Sequence, residues 1–229
     1  MEQYANPYVV AAAQPSERAT FIRKTYLHLA GAIAAFVGIE AFLFNSPLGI
    51  AIANAMMGVS WLVVLGLFIG VSWIADKWAL SDASRGKQYA GLALTVVAWA
   101  IIFVPILAIA TQYSPDAIAQ AAIVTGFLFL GITATAFITK MDFSFLSGFL
   151  AIGGLVALGT IVCGILFGFN LGTWFSAAMV LFAGGSILYT TSQMIHQYRT
   201  DQYVAASLGL FAGIAMMFFY ILRIFMSRD

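Results

Sequence analysis

Charged residues are scarce in this sequence. Only 8% of its 229 residues are Asp, Glu, Lys or Arg, whereas soluble domains contain about 25%. Hydrophobic residues make up 62%, which indicates an integral membrane protein bound to the lipid bilayer. The formal net charge of +1 gives no basic face, so a nucleic-acid partner is not expected.

Cysteine and histidine are also nearly missing. The single cysteine, Cys163, cannot form a disulfide within the chain, and its place in an apolar run predicts a small packing residue. The two histidines, His28 and His196, lie far apart, and neither a CxxC nor an HExxH motif is present. A protein-only zinc site is therefore not expected.

The side chains that intramembrane enzymes require are absent as well. Ser147 has no mid-membrane histidine to activate it, and no span carries an aspartate pair. None of the four lysines lies in the last apolar segment, where a retinal protein would need one. We expect a protein that is not an enzyme and that carries no metal or cofactor.

We expect no cleavable signal peptide at the N-terminus, because the first long apolar run begins only after Lys24. Residues 1–22 are polar and alanine-rich, which predicts a flexible cytoplasmic tail. Within it, Ser16 is placed to cap a helix that begins at Glu17. Residues 23–229 are expected to form one transmembrane domain.

Seven segments of this domain are long and apolar enough to cross a bilayer as helices. Short turns separate them, marked by Asn45, Pro115, Lys140 and Gly168, and a charged loop follows the second. The sequence therefore predicts an all-α bundle of seven transmembrane helices, at about 25–44, 52–74, 88–110, 117–139, 144–167, 173–193 and 203–225.

The distribution of lysine and arginine predicts the orientation. Placing the N-terminus in the cytoplasm puts eight of these residues on the inner side and leaves only Arg223 and Arg228 outside. The three outer loops then contain neither residue type. We expect a cytoplasmic N-terminus and an external C-terminus.

One carboxylate lies clearly within a span. Glu40 is near the outer end of the first, and an intramembrane acid is a candidate for an ion or proton path. Alternatively, it reaches interfacial water or pairs with Arg223, which is expected at a similar depth. Arg223 could also snorkel to the outer headgroups.

Residues 183–225 concentrate the remaining polar groups and the glycines of the last two spans. Tyr189, Thr190, Thr191 and Gln193 form a candidate polar core or ion path. The Gly209-xxx-Gly213 spacing predicts close helix packing, either within the bundle or in a dimer.

Several short motifs, in order along the chain, resemble those of the Bax inhibitor-1 family of membrane proteins, and its bacterial YccA-like branch in particular. They cover nearly the whole chain, at residues 21–26 (FIRKTY), 104–107 (VPIL), 121–129 (AAIVTGFLF), 140–148 (KMDFSFLSG), 187–193 (ILYTTSQ) and 220–223 (YILR). The resemblance implies a seventh helix at the centre of the other six, in a bacterial inner-membrane protein.

The resemblance also implies two activities. One is modulation of the membrane-anchored AAA+ protease FtsH; because the N-terminal tail is polar and predicted to be cytoplasmic, we expect it to contact such a protease. The other is a pH-modulated calcium leak gated by an aspartate in each of the last two helices. In this sequence Thr190 and Gly213 stand at those two positions, and neither can share protons as paired carboxylates do. We expect a protease modulator; the alternative is a cation leak that uses Glu40 and the polar core.

Overall fold

Eight α-helices make up the described part of the computed structural model, which covers residues 9–81 and 84–227. The only β-pairing among these residues is an isolated bridge between Val9 and Arg199. The helices are α1 (Pro15–Phe44), α2 (Pro47–Met57), α3 (Trp61–Ala79), α4 (Arg85–Tyr113), α5 (Pro115–Thr139), α6 (Leu146–Phe167), α7 (Gly172–His196) and α8 (Tyr203–Met226).

All of them except α2 are long and apolar enough to span a membrane. Helices suit this environment because they satisfy every backbone hydrogen bond internally, where the lipid offers no partner. The prediction of a seven-span helical bundle is confirmed. Pro105 lies inside α4 without ending it, as neighbouring helices allow in a membrane.

The predicted second span is replaced by two helices. Gly58 ends α2, and the Ser60 hydroxyl accepts a hydrogen bond from the Leu62 amide at 3.3 Å to start α3. The 11 residues of α2 extend about 16 Å, too short to cross a hydrocarbon core of about 30 Å. The span continues to Ala79, so Asp76 and Lys77 lie in α3 and not in the predicted loop.

The N-terminal region also departs from expectation. Helix α1 begins at Pro15, so residues 15–22 are its first turns, and Ser16 is inside the helix and does not cap it. Proline is suited to this first position because its missing N–H would have no partner there. Val10 is fully buried against the bundle. Residues 1–8 of the predicted tail lie outside the described residues.

Helix α8 is the central element. It packs against α1, α3, α4, α5 and α7, and 67% of its most apolar window is buried. Helix α6 lies at the periphery, where only 6% of the equivalent window is buried. Cys163 is exposed on α6, so the prediction of a packing cysteine is wrong.

Candidate functional site

The polar residues of α7 lie near its C-terminal end, and most of them are buried. Thr190, Thr191, Ser192 and Gln193 are each less than a tenth exposed, and Tyr189 is half-buried. The Thr191 hydroxyl donates to the Ile187 carbonyl of its own helix at 2.8 Å. This bond satisfies the hydroxyl locally, as threonine often does inside helices.

Close packing joins this part of α7 to α8. A Cβ atom on Gly209 would lie 3.1 Å from the Thr190 methyl carbon, and one on Gly213 would lie 2.8 Å from Ile187 Cγ1. Because the two glycines have no side chain, α8 can come into van der Waals contact with α7 of the same chain. This places the Gly209-xxx-Gly213 face inside the bundle, where it is covered by α7.

The same packing separates the two positions at which the resemblance leads us to expect aspartates. Thr190 lies against Gly209, whereas Gly213 lies against Ile187, one turn further along the contact. Each position thus has an apolar or backbone neighbour in the opposite helix. With threonine and glycine at these positions, the contact between α7 and α8 is a packed seam.

Glu40 lies apart from the polar residues of α7. Its side chain is 7% exposed, and neither carboxylate oxygen has a hydrogen-bond partner within the described part of the chain. The alternative in which Glu40 pairs with Arg223 is therefore wrong. Arg223 instead lines a cleft between α3 and α6. The structure thus distributes the predicted site residues over three places.

Three connecting segments meet at the end of the bundle where α7 ends and α8 begins. We call them the loop platform: residues 9–14, the α5–α6 loop (140–145) and the α7–α8 loop (197–202). The Val10 amide donates to the Tyr198 carbonyl at 2.9 Å, and Gln197 Nε2 donates to the Ser144 hydroxyl at 2.8 Å. The N-terminal segment and both loops therefore form one connected surface.

Two side chains fasten this platform to the helices. The Ser192 hydroxyl accepts from the Phe143 amide at 2.9 Å, which ties α7 to the α5–α6 loop. Arg18 Nη2 donates to the Ile195 carbonyl at 3.4 Å, which ties α1 to the end of α7. Burial raises the pKa of the platform residue Tyr198 to about 12, so its phenol stays neutral at physiological pH.

The charged groups of the platform remain accessible. Lys140 and Asp142 are exposed, and Arg199 forms a half-exposed ion pair with Asp201 at 2.7 Å. Two hydrogen bonds from Ser144, one from its hydroxyl and one from its amide, lower the pKa of Asp142, which keeps this carboxylate ionised. The platform thus presents fixed charges of both signs.

Sequence reasoning missed a cationic and aromatic cluster where α1, α4 and α8 meet. His28 Nε2 lies 3.0 Å from the Tyr89 hydroxyl, and the Arg85 guanidinium donates to the Tyr203 hydroxyl. Lys24 lies over the Tyr203 ring, 5.2 Å from its centroid. The only signal in the sequence is the i,i+4 spacing of Arg85 with Tyr89 in α4 and of Lys24 with His28 in α1. Such spacing is too weak to predict a cluster across three helices.

Comparison with known protein families explains why these motifs occur in this order. Residues 18–229 match the family model described as "Inhibitor of apoptosis-promoting Bax1". The chain belongs to the Bax inhibitor-1 family. The match spans all seven membrane helices, so the family assignment concerns the whole bundle.

Relatives within the family are spread over bacteria and eukaryotes. The protein PA2604 of Pseudomonas aeruginosa is 29% identical, over 94% of this chain and 92% of its own. Bax inhibitor 1 of Schizosaccharomyces pombe is 26% identical, over 98% of this chain and 82% of its own. The Escherichia coli protein named "Modulator of FtsH protease YccA" is 35% identical, over 50% of this chain and 53% of its own.

Proposed function

We propose that this Bax inhibitor-1 family protein modulates a membrane-anchored AAA+ protease of the FtsH type, and thereby membrane-protein quality control. The contact surface is the loop platform. In this proposal the protein lies in a bacterial inner membrane with the platform in the cytoplasm and the C-terminus outside, an orientation that the lysine and arginine distribution favours.

The observation that carries this proposal is the bonding of the N-terminal segment to the α7–α8 loop. Val10 is fully buried, and its amide bonds to Tyr198. The N-terminal segment is therefore joined to the charged surface of the platform, so a partner can engage both together. The relative named as a modulator of the FtsH protease supports the choice of partner.

The test compares co-purification of an FtsH-type protease with the intact protein and with a variant that lacks residues 1–14. This deletion leaves α1 complete, because the helix begins at Pro15. We expect the deletion to reduce protease capture and to restore degradation of a membrane-protein substrate. Val10→Asp should have the same effect without shortening the chain, since a buried charge would displace the segment.

Thr173→Ala is the matched control at the opposite end of the bundle, where the Thr173 hydroxyl lies 3.0 Å from that of Ser227. It should leave capture unchanged. Full capture by both the deletion variant and Val10→Asp would contradict the role given to the N-terminal segment, provided that thermal melts show both variants folded.

A cation leak, with calcium as the candidate ion, is the second candidate function because Glu40 is buried and unbonded. An intramembrane carboxylate without a partner is costly and commonly marks an ion path. The packed α7–α8 seam weighs against a leak gated by a carboxylate pair, the form that the family resemblance implies, and leaves Glu40 as the group to test. Calcium flux into proteoliposomes at pH 6 and pH 8 separates the two functions: a leak requires flux in the wild type that Glu40→Gln reduces.

A further inference from the structure

A large apolar cleft lies along the C-terminal half of α8, whose N-terminal end adjoins the loop platform. Its volume is about 640 Å³, within the range of about 300–1,000 Å³ that is typical of small-molecule pockets. Helices α3 and α6, which contact each other sparsely, form two of its walls, and α8 contributes Met216, Phe219 and Tyr220. The cleft therefore lies at membrane depth, between helices that the lipid surrounds.

The polar groups of this cleft lie at one end. Arg223 is in the last turn of α8, Tyr220 is one turn before it, and Asn170 is in the loop between α6 and α7. The rest of the lining is apolar or aromatic, including Leu65 and Phe68 on α3 and Ile161 on α6. The cleft is thus amphipathic along its length, with a cation at its mouth.

This arrangement matches the chemistry of one ligand class. A guanidinium binds phosphate oxygens with two parallel hydrogen bonds, and a long apolar wall accepts a hydrocarbon chain. We propose that the cleft binds an anionic phospholipid, with the phosphate on Arg223 and an acyl chain between α3 and α6. A membrane-spanning helix, about 10–12 Å wide with its side chains, would need several times this volume.

The experiment measures lipid binding to the purified full-length protein in detergent by native mass spectrometry. The probes are phosphatidylglycerol, phosphatidylcholine and inorganic phosphate. We expect one tightly bound phosphatidylglycerol, and weaker binding of phosphatidylcholine, whose headgroup has no net charge.

Two kinds of variant separate the headgroup from the chain. Arg223→Gln should weaken phosphatidylglycerol binding roughly tenfold, the loss expected for a charge-assisted hydrogen bond, while Arg223→Lys should retain most of it. Leu65→Trp should weaken binding of both lipids by filling the cleft. Leu67→Trp is its matched control, since Leu67 is 65% exposed on the same helix and does not line the cleft.

The proposal is overturned if Arg223→Gln leaves phosphatidylglycerol binding unchanged, or if Leu65→Trp and Leu67→Trp behave alike. Inorganic phosphate that binds as tightly as phosphatidylglycerol would identify a free-phosphate site instead. If a protein partner co-purifies with the wild type, and Leu65→Trp loses that partner while its lipid binding is intact, the cleft would be assigned to the protein partner. Ile161→Trp fills the cleft from the opposite wall and replaces Leu65→Trp if that variant does not fold.

Discussion

Helices α6 and α8 are both apolar and both contain glycines, yet they occupy opposite situations in the bundle. Most of the apolar window of α8 is buried, whereas only 6% of that of α6 is. The glycines of α8 meet Thr190 and Ile187 at close range, while a Cβ atom on Gly159 of α6 would have no neighbour within 4 Å. Helices of similar composition thus have different roles: α8 packs at the centre of the bundle, and α6 forms a wall of the cleft.

The largest expected effect comes from making the same substitution, glycine to alanine, in both helices. Gly213→Ala places a methyl group 2.8 Å from Ile187 Cγ1, and such overpacking costs about 1–3 kcal/mol of unfolding free energy. Gly159→Ala meets open space and should stabilise the protein by about 0.5–1 kcal/mol through helix propensity. Chemical denaturation in detergent measures both.

The double variant Gly213→Ala with Ile187→Ala tests the cause of that loss. Removing Cγ1 of Ile187 makes room for the new methyl group, so the double variant should be more stable than the sum of the two single losses predicts. Strictly additive losses would show that the α7–α8 contact is not as tight as the structure indicates.

A smaller effect is expected where α7 holds the start of α6. Ser192→Ala removes the acceptor of the Phe143 amide and should lower the free energy of unfolding by about 1 kcal/mol. Because α6 is otherwise little buried, the α5–α6 loop should open, and trypsin should cleave faster after Lys140. Ser147→Ala is the matched control, at an exposed serine in the first turn of α6. Equal cleavage rates for the two variants would contradict this tether.

The second glycine of α8 sharpens the comparison within that helix. A methyl group on Gly209 would lie 3.1 Å from the Thr190 methyl carbon, a milder overlap than at Gly213. We therefore expect Gly209→Ala to destabilise the protein less than Gly213→Ala does. Thr190→Ser should relieve the overlap, since it removes that methyl carbon. A larger loss at Gly209 than at Gly213 in thermal melts would reverse the inferred order.

The smallest effect concerns Asp142, before the start of α6. Hydrogen bonds from Ser144 lower its pKa below the ordinary value of 3.8. Its stabilising contribution is present above the unfolded pKa and is lost as pH falls through the lower folded pKa. Ser144→Ala should raise the pKa of Asp142 toward its ordinary value in a carboxylate NMR titration. An unchanged titration would leave the hydroxyl without a role there.

Most of the helical bundle could be predicted from the sequence because the membrane imposes one length and one hydrogen-bonding solution on every span. The exception is the second span, since no hydropathy pattern shows that Ser60 caps a new helix. The candidate site was less predictable. The separation of Glu40 from Arg223, and the cluster around Tyr203, depend on contacts between distant parts of the chain.

The sequence by itself determined that this is a seven-span membrane protein of the Bax inhibitor-1 family, and that threonine and glycine stand at the expected aspartate positions. Composition and local motifs are sufficient for that, because each span interacts with the same lipid. Only the tertiary structure decided which glycines pack, that Val10 joins the loop platform, and that Arg223 lines a cleft. Those outcomes depend on which helix faces meet, and the polarity of an isolated segment does not specify its neighbours.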